Sequence, residues 1–239
     1  ARRVSAAGTS KLVNFGLKLA LRRRHSRTLV QNSEDLKTCQ ELAGDARARV
    51  EKVSGTGLNP ATWQPQPEPP ERPFRMVYAG RLLADKGVRE LVRAHAILRR
   101  EDPSWELEIL GDRDPANPAS LSADELQSIA SQPGVRLAGK VSNVLERISA
   151  AHLFVFPSYR EGLPRAILEA GLCARAVITT DVPGCREAVR DGESGILVPP
   201  RQPEALAAAA RTLRQQREVR RKLGEALRRN VETTHAIDE

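Results

Sequence analysis

From Phe74 onward the chain predicts an α/β fold: a doubly wound parallel sheet with helices on both faces. Three observations carry this. Short apolar runs alternate with segments of helical periodicity. The strand runs end in turns containing Gly or Pro (Gly80, Gly111, Gly139, Pro157). A hydrophobic content of 40% without solenoid-type repeats supports one packed core.

The expected strands are Phe74–Ala79, Leu107–Leu110, Val135–Leu137, Leu153–Phe156, Ala176–Thr179 and Gly195–Val198. The helices between them are Val88–Arg100, Ala123–Ser131, Val144–Ala150, Pro164–Leu172 and Cys185–Arg190. Ser122 and Glu125 have the spacing of a capping box. Two Ala/Arg-rich helices, 203–216 and 218–231, follow, with Pro203 in a first helical turn.

Before Phe74 the pattern is thinner. Residues 10–25 have helical periodicity, with Lys11, Asn14, Lys18, Arg22 and His25 on one face and Leu12, Val13, Leu17 and Leu19 opposite. Thr28–Gln31 reads as a strand, Ser33 as the cap of a helix to about Leu42, and Arg49–Ser54 as a second strand before the turn Gly55–Gly57. Residues 64–73 contain five prolines, and residues 58–73 read as an extended linker unable to join a sheet. The expected divisions are 1–57, the linker 58–73, a domain 74–231 and a tail 232–239.

Composition narrows the function classes. Aromatic residues make up 3%, too few for the stacking platforms of single-strand nucleic-acid binders. The net charge of +8 belongs to one end: residues 1–27 carry eight Lys/Arg and no acid, whereas residues 28–239 carry 30 of each. Such an end suits phosphates, of lipid headgroups or of nucleic acid, and residues 10–25 read either as an ordinary surface helix or as one lying on anionic lipid with Phe15 inward. Cys39, Cys173 and Cys185 form no CxxC or Cys/His cluster, which fits a reducing cytosol and gives no zinc site. No run approaches the ~18 apolar residues of a membrane span.

Phe154–Cys173 (FVFPSYREGLPRAILEAGLC) concentrates the chemistry. A buried strand breaks at Pro157, and a polar loop offers the amides of Glu161, Gly162 and Leu163 where a helix begins, an arrangement that receives anions. Glu161 and Glu169 flank it. Carboxylates beside an anion site suit a ligand with both hydroxyls and phosphates, as a nucleotide sugar has. Gly80–Gly87 places Arg81 and Lys86 after the first strand, where ligands of doubly wound sheets bind, and the pair suits a diphosphate or is surface charge at a turn. Neither GxGxxG nor GxxxxGK[ST] is present. Lys140 and Val141 could meet a base. Asp112 and Asp114, interleaved with Arg113, read as a rim loop rather than a metal site. Thr179–Glu187 is either a close-approach turn at Gly184 or a plain turn capped by Asp181. The four histidines form no nucleophilic grouping.

Together, GRL-x-x-DKG at Gly80–Gly87, Glu161-GLPRAIL-Glu169 and GILVPP at Gly195–Pro200 resemble the retaining glycosyltransferases of family 4, over Thr28 to about Val231. The family has the two-domain GT-B architecture, and its marker is two glutamates separated by seven residues. The resemblance implies a Rossmann-like C-terminal donor domain preceded by a remnant of the N-terminal acceptor-side domain. It implies that Arg81 and Lys86, with Gly80, grip the donor diphosphate, and that Glu169 binds the ribose. Glu161 contacts the transferred sugar, Gly162 and Leu163 meet sugar and phosphate, and Lys140–Val141 holds the base. The donor implied is a UDP-sugar, with neither cofactor nor metal. SYREGLPR, NPASLSADEL and TTDVPGCRE look like a bacterial branch adding sugars such as N-acetylgalactosamine to undecaprenyl-diphosphate-linked acceptors. The enzyme would be cytoplasmic, peripheral on the inner membrane face and without a nucleic-acid partner. This chain would be its donor half, inactive alone. Two other readings use the same residues: a GT-B sugar-nucleotide epimerase, or a non-catalytic module whose basic end binds lipid or nucleic acid.

Overall fold

A computed structural model of the chain describes residues 6–53 and 57–236, with side chains throughout except at 6–12 and 47–48. It divides into two compact units, Ala1–Gly55 and Thr56–Glu239.

The first unit runs α1 (Ala6–Arg22), β1 (Thr28–Val30), α2 (Ser33–Ala43) and β2 (Val50–Lys52). The two strands pair in parallel, Thr28 opposite Val50, over a small core of Leu21, Val30, Ala43 and Val50. Three expectations change. The first helix stops at Arg22 because Arg23 and Ser26 turn the chain toward β1. It also lacks a buried apolar face over residues 13–20: Val13, Phe15, Leu17 and Leu19 are all exposed, and Leu21 is its buried anchor. The α2 cap is Asn32 rather than Ser33, since Asn32 has the extended backbone of a cap and its Oδ1 accepts the Asp35 N–H at 2.8 Å. Of the basic residues, Arg2 and Arg3, and the side chain of Lys11, lie outside the description, as does the turn at Gly55-Thr56.

The second unit carries the α/β alternation. Its strands are β3 (Phe74–Ala79), β4 (Trp105–Leu110), β5 (Val135–Gly139), β6 (Leu153–Phe156), β7 (Ala176–Thr180) and β8 (Ile196–Val198). Its helices are α3 (Val88–Glu101), α4 (Ala123–Ala130), α5 (Val144–Ser149), α6 (Arg165–Leu172), α7 (Pro183–Ala188), α8 (Pro203–Gln215) and α9 (Arg217–Thr234). All six strands are parallel in the order β5-β4-β3-β6-β7-β8. The chain therefore winds outward from β3, crosses back, and resumes at β6. The strand order reverses between β3 and β6, and ligands of doubly wound sheets bind above the strand ends at such a reversal. Ser122 and Glu125 form the expected capping box. Asp181 is not a cap: Val182 holds that position, and Asp181 accepts from Arg186 at 2.6 Å. Among the described residues, no helix is long and apolar enough to cross a membrane.

The scarce aromatic residues are concentrated in the core. Phe74 meets the Trp105 ring edge-on at 4.8 Å and stacks on His152 at 4.3 Å, while Tyr78, Phe154 and Phe156 stack further along the sheet. Burial, and secondarily the nearby Arg220 charge, push the His152 pKa down, so the ring sits neutral and its Nδ1 accepts the Arg75 N–H.

The proline tract is docked on this unit. Prolines have no N–H to give a sheet, but their carbonyls remain acceptors that need donors. Arg175, 3% exposed, donates to the carbonyls of Gln66 and Pro67 at 2.9 Å, and also to those of Ser149 and Cys173. Arg220, fully buried on α9, forks onto both Glu68 oxygens at 2.8 and 3.0 Å, reaches Glu71 at 2.7 Å and caps the Leu213 carbonyl. Its guanidinium also lies over the Phe74 ring. The strap's start is bound too: Leu58 bridges Ala236 just beyond α9, in the segment expected as a tail, of which residues 237–239 lie outside the description.

Arg220→Ala leaves the largely buried Glu68 carboxylate with only the longer Arg217 contact at 3.5 Å, and should cost about 3 kcal/mol, lowering the Tm by roughly 10 °C in a thermal melt. Burial alone would raise the Glu68 pKa, but the Arg220 hydrogen bond and charge outweigh it and hold the carboxyl below its ordinary value. The stabilisation is thus full above the unfolded pKa of about 4.3 and disappears as pH falls through the lower folded value. Melts from pH 7 to 3 should lose less stability in Glu68→Gln than in the parent.

Candidate active site

The crevice at the strand-order reversal is built from three strand-end loops. After β3, Gly80 turns the chain, and the Tyr78 hydroxyl donates to the Arg81 carbonyl at 3.0 Å. Gly111, after β4, has φ +133°, and a Cβ there would overlap the Gly80 carbonyl, so the two loops touch backbone to backbone. Gly139 (φ +66°) closes β5 and leads into Lys140 and Val141.

These loops and the first turns of α6 enclose a cavity of about 590 Å³. Its walls include Gly80, Arg81, Lys140, Val141 and Glu169, so five of the expected site residues share one cavity. The walls mix signs. Arg81 lies 3.7 Å from Asp114, and Arg165 donates to Glu169 Oε1 at 3.1 Å. Val141, Val144 and Ala166 give an apolar wall. An acid beside apolar surface can receive a diol on a ring system, and the cations can receive phosphate oxygens.

Lys86 and Glu161 are brought together beside this cavity rather than within its lining. Lys86 Nζ lies 2.6 Å from Glu161 Oε1, and both side chains are about seven-eighths buried (14% and 13% exposed). The resemblance gave them separate ligands; the structure makes each the other's counter-ion. Gly162 and Leu163 line neither the cavity nor the ion pair. Leu163 packs toward the hydrophobic core, and Gly162 lies against α7.

The loop bearing Glu161 is held by close backbone contact on two sides. A Cβ on Gly87, itself left-handed at φ +68°, would overlap the Pro157 carbonyl. A Cβ on Gly184 would overlap the Glu161 carbonyl and come within 2.6 Å of the Gly162 oxygen. Gly184 therefore belongs to the close-approach reading of Thr179–Glu187. The Thr180 hydroxyl donates to the Ser158 carbonyl, and the Tyr159 N–H to the Asp85 carbonyl at 2.8 Å. The sequence reading missed Arg165, Tyr159, Glu90 and Arg201 around this loop. The Arg165–Glu169 spacing of four was available on the expected helix; the other three have no local pattern.

Comparison with known proteins places the chain in a family. A family model for glycosyl transferases group 1 matches residues 73–216. The chain belongs to that family. It is 30% identical over 159 residues to the capsular polysaccharide biosynthesis glycosyltransferase CapM of Staphylococcus aureus, covering 66% of this chain and 41% of CapM. It is 32% identical over 126 residues to the N,N'-diacetylbacillosaminyl-diphospho-undecaprenol alpha-1,3-N-acetylgalactosaminyltransferase of Campylobacter jejuni, covering 53% of this chain and 31% of that enzyme. The chain thus spans less than half of either relative. Anabaena HepE, solved with UDP and glucose, superposes with a TM-score of 0.79 at 18% identity over 93% of this chain and 64% of HepE, which establishes the shared GT-B fold.

Gly184→Ala should displace the Glu161 loop and destabilise the protein by about 1–3 kcal/mol. A lower urea midpoint with unchanged m would register it; an unchanged midpoint would mean the contact is not tight.

Proposed function

We propose that this chain supplies the donor-binding part of a retaining, family 4 glycosyltransferase. The substrate is a nucleotide-diphosphate sugar, specifically a UDP-sugar, and the acceptor is a lipid-linked glycan in surface-polysaccharide assembly. The observation that carries the reading is the buried Lys86–Glu161 pair at the strand-order reversal, beside a cavity holding Arg81, Lys140, Val141 and Glu169. The Campylobacter relative's name supports an N-acetylhexosamine as the transferred sugar.

In this reading the base lies along Lys140–Val141 and the ribose diol on Glu169. The diphosphate lies between Arg81 and Lys86. A diphosphate approaching Lys86 competes with Glu161 for the ammonium, which frees the carboxylate for a sugar hydroxyl. Binding thereby arms the acid that positions the sugar. As the glycosidic bond breaks, negative charge grows on the diphosphate, and Arg81 and Lys86 stabilise it without a metal ion. Acceptor attack from the same face retains configuration. The acceptor groups come from the remainder of the enzyme, so the chain alone binds donor without turnover.

Calorimetric titration with UDP should show binding that Lys86→Ala weakens by about 1.5–3 kcal/mol. Arg81→Ala, on an exposed side chain, gives a second arm with no buried partner left behind. No UDP binding by a folded sample, or equal binding by all three proteins, would overturn the reading.

The membrane surface is assigned to the first unit, where Phe15 and Leu19 are exposed on the helix that carries Lys18 and Arg22. Co-sedimentation with vesicles rich in anionic lipid should fall when Phe15 is changed to Asp, and vesicles of neutral lipid should bind neither form.

A further inference from the structure

Among the described residues, two that are not glycine hold left-handed backbone: Ala174 (φ 51°) and Arg201 (φ 62°). Ala174 lies just past the end of α6 and has a packing reason, since its carbonyl seats against Gly224 of α9. Arg201 does not. It is exposed in the turn between β8 and α8, where glycine would adopt the same backbone without strain.

Its side chain shows what the strained turn supports. The Arg201 guanidinium lies over the Tyr159 ring, 4.8 Å from the centroid. At an exposed site that contact gains no more than the left-handed backbone costs an arginine, so the turn is not a net stabiliser of the fold. Tyr159 is held at two further points. Its hydroxyl donates to Oε2 of Glu90, a buried carboxylate in the first turn of α3. Its N–H donates to the Asp85 carbonyl at 2.8 Å. Burial, and then the Glu90 hydrogen bond and charge, push the Tyr159 pKa up to about 12, so the hydroxyl remains a donor at neutral pH. Tyr159 stands two residues before Glu161, and Asp85 one before Lys86. The Tyr159–Asp85 bond therefore joins the two segments that meet in the Lys86–Glu161 pair.

We propose that Arg201, Tyr159 and Glu90 form a latch that fixes the Glu161 loop against Lys86, making Arg201 and Tyr159 positioning residues for the donor diphosphate. The assignment rests on the donor-binding reading above. Ring face, hydroxyl and amide of one tyrosine are held from three separate segments.

The test measures amide exchange of residues 158–163 and the UDP dissociation constant in the full chain. Arg201→Gly should leave the Tm unchanged or raised, speed exchange of the loop amides, and weaken UDP roughly two- to fivefold. Arg201→Lys, which keeps a cation over the ring, should restore both readouts. Tyr159→Phe keeps the ring but loses the Glu90 bond, and should weaken UDP roughly five- to tenfold. Weaker binding alongside an equal or higher Tm is a result that mere support of the fold would not give. Unchanged loop exchange and UDP affinity in Arg201→Gly would overturn the latch. Faster loop exchange in a protein that does not bind UDP at all would uphold the latch and overturn the donor reading.

Discussion

A largely buried ion pair at the reversal of strand order ties together the loops that follow β3 and β6. Two charges withdrawn from water are costly unless each satisfies the other, so Lys86 and Glu161 must stay in register or both destabilise the fold. The register is set from below by topology, since β3 and β6 are neighbours although the paired residues Met76 and Leu153 stand 77 positions apart in the chain. It is set from the sides by two glycines, Gly87 and Gly184, whose missing side chains let backbone lie on backbone. On the proposed donor-binding reading the same pairing makes the site responsive. An ammonium whose partner is a carboxylate can be recruited by a stronger anion, and the carboxylate is released in the same event.

The sheet was legible from the residues because its strands are bounded by chemical punctuation. Phe74–Ala79 lies between Pro73 and Gly80, and Leu153–Phe156 ends at Pro157, so both boundaries fall where expected. Caps were less legible. Asn32 and Ser33 are both competent, and the choice depends on which one has extended backbone at the end of β1. Asp181 had a capping residue's identity, but Arg186, five residues along, gave it a better partner.

The site was legible in composition and not in contact. Arg81, Lys140, Val141 and Glu169 could be assembled by assuming that strand-end loops converge, and they share a cavity. The Lys86–Glu161 bond joins residues 75 apart, and the Tyr159–Glu90 bond joins residues 69 apart, distances at which no periodicity or spacing operates. The proline tract shows the same limit. Its lack of N–H groups excluded a sheet, but it takes the contacts of buried Arg175 to show where the Gln66 and Pro67 carbonyls are satisfied, and those of buried Arg220 to show where the Glu68 and Glu71 carboxylates are.

The Arg220–Glu68 fork closes a loop of 152 residues. The entropic cost of such a closure is about 4–5 kcal/mol, so the strap has nothing to gain by docking before the sheet has brought its two ends close. During synthesis the order is stricter still. Glu68 leaves the ribosome roughly 8–30 s before Arg220 at about 5–20 residues per second. Through that interval Glu68 and Glu71 are made but lack the Arg220 guanidinium, although Arg175 emerges earlier to receive the Gln66 and Pro67 carbonyls. The last helix of the unit is therefore what closes its first segment, and the unit completes itself from its C-terminal end.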